Sequence, residues 1–175
     1  TVEELADKLA VYRRARQEAG HPGDGQVTLM LHCFVGEDED AVRAAVRQPL
    51  LDYLRTSTNL VKEYAWSFPA FRRRPDQTTS AALDLSSLSD GEMEALLDHA
   101  FDRYFETGGL FGTPEKCLAT VDRVRAVGVD EIGCLIDFGV ATDAVLAHLP
   151  ALDALRRLAN DGQPDETLAG LMRQH

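Results

Sequence analysis

Two titratable residues stand near the ends of the two most apolar stretches of the chain, His32 in VTLMLHCF and Asp137 in EIGCLIDF. Both stretches read as β-strands, 27–34 and 131–138, each preceded by a helix and a glycine-containing turn. Successive strand side chains point to opposite faces. In the first run Val27, Leu29, Leu31 and Cys33 form a uniformly apolar set, and Thr28, Met30, His32 and Phe34 a mixed one. In the second, Ile132, Cys134 and Ile136 are the apolar set, and Gly133, Leu135 and Asp137 the mixed one. If the strands are neighbours, an imidazole and a carboxylate share one end of a sheet. Such a pair shifts each other's pKa, and the imidazole can donate a proton or a hydrogen bond. A plainer reading stands beside it: His32 packed against a backbone carbonyl, and Asp137 capping the following helix or turn.

Other residues could bind rather than react. Arg72, Arg73 and Arg74 are either a solvated charge run or a clamp on a phosphate, which guanidinium geometry suits. Trp66, Phe68 and Phe71 nearby are anchors for their own segment or walls of a substrate pocket, with Phe34 as a further wall. GGLFG is not a dinucleotide fingerprint and follows a helix, although GTPEK opens a helix whose N-terminus can receive an anion. Cys33, Cys117 and Cys134 are odd in number, widely spaced and form no CxxC, so they read as reduced thiols packed as small hydrophobes. The five histidines show no i,i+4 pair and suggest no zinc site.

The positioning elements are mostly helical. VEELADKLAVYRRARQEAG is amphipathic, with Thr1 and Glu4 as a capping box and Gly20 as its stop. A second helix begins near Glu37–Asp40, and Pro49 should break it or start another. Residues 65–89 lose clear periodicity over a length that suggests a functional lid or a disordered segment. Ser89 and Glu92 then open GEMEALLDHAFDRYFETGG as a second capping box, and Thr113-Pro114 opens the helix after it. The last helix, TDAVLAHLPALDALRRLA, should kink or divide at Pro150.

The chain has 175 residues and a net charge of −11, from 18 basic and 29 acidic side chains. That acidity argues against nucleic acid and against anionic membrane surfaces. No apolar run approaches the ~20 residues of a membrane-spanning helix. The first residue is Thr1 rather than Met, which reads as a chain cut from something longer, and the surroundings implied by reduced cysteines are cytoplasmic.

The segments VTLMLHCFVGEDEDAVR, NLVKEYAWSFPAF and GLFGTPEKCLATVDRVRAVGVDEIGCLIDFGV, in that order, resemble the C-terminal half of a luciferase-like FMN-dependent monooxygenase of the kind embedded in nonribosomal peptide and polyketide assembly lines. The resemblance covers residues 1–158 and implies the C-terminal part of a (β/α)8 TIM barrel, an α/β fold with about two parallel strands and several helices. It implies reduced FMN and O₂ as cofactors and a carrier-bound substrate. The N-terminal half of the same barrel would be the partner. It makes 65–89 the place of the family's active-site loop. Barrel enzymes work at the C-terminal ends of their strands, so His32 and Asp137 become the catalytic candidates, and Arg72, Arg73 and Arg74 candidates for the cofactor phosphate. Residues 159–175 read as a linker, with ETLAGLMRQH similar to the start of an adenylation domain segment. The alternative is a non-catalytic helical interaction or linker fragment of a multidomain synthetase, burying its open faces against its missing half or in a homo-oligomer.

Overall fold

The computed structural model describes residues 1–56 and 89–161. Their elements follow in the order α1 (Val2–Glu18), β1 (Thr28–Val35), α2 (Glu39–Thr56), α3 (Asp90–Thr107), β2 (Gly109–Gly112), α4 (Pro114–Ala126), β3 (Glu131–Leu135) and α5 (Thr142–Ala159). The three strands are parallel, in the spatial order β2-β1-β3. β2 pairs with the C-terminal half of β1, His32–Val35, and β3 with the N-terminal half, Thr28–His32. The architecture is α/β and consistent with part of a (β/α)8 barrel.

Three helices start where their caps dictate. Thr1 and Glu4 form a capping box on α1, and Ser89 and Glu92 do so on α3. Thr113 receives the amide of Lys116 at 3.3 Å, with Pro114 at the first turn of α4. Each such cap satisfies backbone N–H groups that have no partner inside the helix.

The two faces of β1 divide as its alternation requires. Val27 and Leu29 pack with Leu9 of α1 and Val124 of α4. Cys33 and Val35 pack with Leu110, Cys117, Val121 and Leu155. Helices α1, α4 and α5 thus cover this face. On the other face Phe34 meets Val42, Val46, Leu50 and Leu54 of α2 and Leu97, Phe101 and Phe105 of α3. Burying each such side chain contributes roughly 1.5–3 kcal/mol relative to leaving it exposed. This second layer covers only the C-terminal end of β1: Thr28 and Met30, on the same face as Phe34, are exposed, Met30 by 69%.

Ion pairs set the register of α2 on α3. Arg43 reaches Asp102 at 2.6 Å and lies over the Phe105 ring at 4.5 Å, and Arg47 reaches Asp98 at 2.8 Å. Lys116 ties α4 to both, at 2.5 Å from Glu39 and 3.0 Å from Glu106.

Four expectations change. A third strand exists, because GLFG, read as a glycine-rich loop, is a fully buried strand. The second predicted strand ends at Leu135 rather than at 138. Pro49 and Pro150 sit inside continuous helices. In α2 the lost backbone hydrogen bond is outweighed by Val46, Leu50, Leu51 and Leu54, all buried around the proline. Cys33 and Cys117 are buried thiols as expected, but Cys134, on the edge strand β3, is exposed.

Candidate active site

β1 delivers His32 to the point where all three strands meet. Its Cα partners are Gly109 on β2 and Leu135 on β3. Asp137 follows two residues after the end of β3 and is exposed, in the loop leading to α5. His32 and Asp137 line the same cleft, of about 510 Å³, together with residues of α2 and the β3–α5 loop. The adjacency read from the sequence holds, although Asp137 reaches the cleft from a loop and not from the strand.

His32 is buried, 5% exposed. Its Nδ1 lies 2.5 Å from the hydroxyl of Tyr104 on α3. Its Nε2 is buried and has no hydrogen-bond partner among the described residues. Tyr53 and Phe138 meet the imidazole edge-on, with ring centroids at 4.7 Å and 5.2 Å. Burial lowers the pKa of His32, and the negative charge of Asp137 opposes that without overcoming it. The ring is therefore neutral at neutral pH, a donor at one nitrogen and an acceptor at the other.

Of the plainer readings, the packing of His32 holds, while the carbonyl partner and the helix cap do not. The partner of His32 is a phenol, not a backbone carbonyl. Helix α5 has Ala141 at its N-cap and no side-chain cap, so Asp137 does not close it.

Tyr53, Phe138, Leu135 and Pro49 give the cleft flat apolar walls, and Asp52 and Asp137 its charge. Asp52 is held by Gln48 at 2.8 Å and Arg55 at 2.9 Å. Such walls beside an orphaned ring nitrogen fit a planar heteroaromatic group with a polar edge, as a flavin ring has. The carboxylates do not fit a phosphate, so the phosphate of a flavin would be held elsewhere. Among the described residues no group of three His, Cys, Asp or Glu side chains is placed to hold a metal ion. Nor is any described helix long and apolar enough to cross a membrane.

Phe34, read as a pocket wall, lies in the core beneath α2 and α3, 3% exposed, with its ring 4.3 Å from that of His148. Arg72, Arg73, Arg74, Trp66 and Phe68 lie outside the described residues, as does the predicted lid apart from Ser89. The tail beyond Asp161 lies outside them too. Tyr104, Tyr53 and Asp52 were not singled out by sequence. The signal that could have found Tyr104 is its place on a buried helix stripe, where a tyrosine brings a hydroxyl that needs a partner.

No curated protein matches the chain. The sequence profile of the luciferase-like monooxygenases matches residues 1–131, from α1 through β2 and α4 to the first residue of β3. The match takes in His32, Tyr53 and Tyr104, and the chain belongs to the luciferase-like monooxygenase family.

Proposed function

We propose that this chain is part of a flavin-dependent monooxygenase that oxidises a carrier-bound intermediate in natural-product assembly in the cytoplasm. The observation that carries the reading is the cleft beside His32 of β1 and at the C-terminal end of β3, where a buried neutral histidine and an exposed aspartate face one space. Reduced FMN, when bound, supplies the electrons that activate O₂. The chain's own residues bind, orient and exclude water: Tyr53 and Phe138 wall the cleft, His32 presents a hydrogen-bonding nitrogen, and Asp137 sets the local charge. Arg72, Arg73 and Arg74 remain the candidates for a phosphate, on the cofactor or on a carrier's phosphopantetheine arm. The resemblance also suggests an adenylation domain as neighbour.

The open half of the sheet supports the N-terminal half of the barrel as partner. Among the described residues, nothing pairs with Thr28–Leu31 on the β2 side of β1, and Met30 stands exposed. Further strands would bury both.

The test supplies reduced FMN and O₂ to the chain joined to the rest of its barrel, with a panel of acyl and aminoacyl groups on a carrier protein. The expected result is a mass gain of one oxygen atom that requires both cofactors. Flavin binding without oxygen transfer on any panel member overturns the substrate assignment. Failure to bind flavin in the completed barrel overturns the monooxygenase reading and favours the non-catalytic interaction module.

A further inference from the structure

We propose that Tyr104 is a positioning residue: its hydroxyl donates to Nδ1 of His32, fixes the ring proton on Nε2, and makes His32 a neutral hydrogen-bond donor to an acceptor atom of the ligand held in the cleft. This deepens the reading of the cleft given above and rests on it for the identity of the ligand, but not for the hydrogen bond.

The contact is short, 2.5 Å, between two buried side chains. Two directions of donation are open to it. In one the phenol donates to Nδ1; in the other Nδ1–H donates to the phenol oxygen. Acid–base strength selects the first. A tyrosine hydroxyl, with an ordinary pKa of about 10, is a good donor, and a neutral imidazole nitrogen, whose conjugate acid has a pKa of about 6.5, is a better acceptor than a phenol oxygen. The cleft favours the same arrangement: His32 and Asp137 line one space, and an Nε2–H suits its carboxylates better than an Nε2 lone pair does.

The ring cannot easily turn to exchange its nitrogens. Tyr53 and Phe138 hold it edge-on, and Tyr104 itself lies at 5.8 Å and 62° to it. β1 fixes the backbone, because His32 is paired on both sides of the sheet. With Nδ1 engaged, Nε2 is the ring atom left for a ligand. A neutral donor beside Asp52 and Asp137 suits a carbonyl oxygen or an imine nitrogen, not a phosphate.

The test reads the tautomer directly. Long-range ¹H–¹⁵N spectra of the ¹⁵N-labelled chain joined to the rest of its barrel, with His32 assigned by its loss in His32→Gln, show which nitrogen carries the proton. The expected result is a proton on Nε2 and a bare Nδ1, with an Nδ1-protonated population appearing in Tyr104→Phe. A proton on Nδ1 in the wild-type chain overturns the proposal, and this result does not depend on the variant folding. An unchanged tautomer in folded Tyr104→Phe overturns it as well. A tyrosine that only packs would lower the melting temperature and leave the tautomer alone. The spectra need neither flavin nor substrate, so this proposal and the monooxygenase reading fail separately.

Discussion

Cys134 on β3 pairs with Leu31 of β1, two residues before Cys33, and the two neighbouring thiols differ in acidity, with Cys134 exposed and Cys33 buried. The neighbouring Cys33 thiol favours the Cys134 thiolate and brings that group down to about 7, against the smaller opposing effect of burial. The neighbouring Cys134 and burial both push Cys33 up. Burial pushes Cys117 up to about 12.

Alkylation with iodoacetamide at a series of pH values should therefore label Cys134 alone, with a midpoint near 7. In Cys33→Ala the midpoint should move toward the ordinary thiol value of about 8.5. Peptide mapping identifies the labelled residue. Earlier labelling of Cys33 or Cys117, or an unmoved midpoint in Cys33→Ala, contradicts the assignment.

Gly109 is where the backbone of β2 comes close to the residue that carries the site. A Cβ there would lie 2.7 Å from the carbonyl oxygen of His32 and 2.4 Å from the Phe111 ring. Neither can yield cheaply, because the first is backbone in a paired strand and the second is stacked against Phe105 at 5.6 Å. Gly109→Ala should cost about 1–3 kcal/mol, the usual range for overpacking. Gly91→Ala is the control, since nothing lies within 4 Å of the added atom. Equal melting temperatures for the two variants would show that β2 does not approach β1 this closely.

The same glycine explains why one strand was hidden from sequence. GLFG is four residues long, too short to show a period, and its flanking glycines look like a loop. Helices α1, α3 and α4 were legible because each joins a capping signal to an apolar stripe. Helix α2 was not legible through Pro49, because the residues that hold it together across the proline do so by tertiary burial. Alternation along β1 was enough to separate His32 from the set that packs under α1, α4 and α5. It was not enough to find Tyr104, which reaches His32 from another element, or to see that Asp137 stands beyond its strand.

Burial of neutral His32 has a consequence for stability against pH. Its folded pKa lies below the ordinary value of 6.5, so below that pH the unfolded chain binds a proton that the folded chain refuses. The stabilising effect is complete above 6.5 and is lost as pH falls through that value toward the folded pKa. Within that window the slope approaches about 1.4 kcal/mol per pH unit. His32→Gln has no such proton to bind. The gap in unfolding free energy between wild type and His32→Gln should shrink as pH falls from 7 to 5. A constant gap would mean that His32 takes up its proton as readily in the folded chain as in the unfolded one.

The last prediction concerns catalysis in the complete barrel. A positioned side chain that gives or holds a proton typically contributes ~10²–10⁴-fold. On the reading proposed for the cleft, His32→Ala should keep flavin binding and lose substrate oxygenation by roughly that factor. Oxygen transferred per flavin oxidised should fall as well, because O₂ would still be consumed without productive transfer. His32→Gln offers an amide N–H near the place of Nε2 and should recover part of the loss. A histidine that only fills space predicts something different, a lower melting temperature with unchanged product per flavin oxidised. Tyr53 and Phe138 would lose their edge contacts with the ring in either case, so melting temperature alone does not decide. Coupling measured on folded protein does, and unaltered coupling in His32→Ala would remove His32 from the reaction.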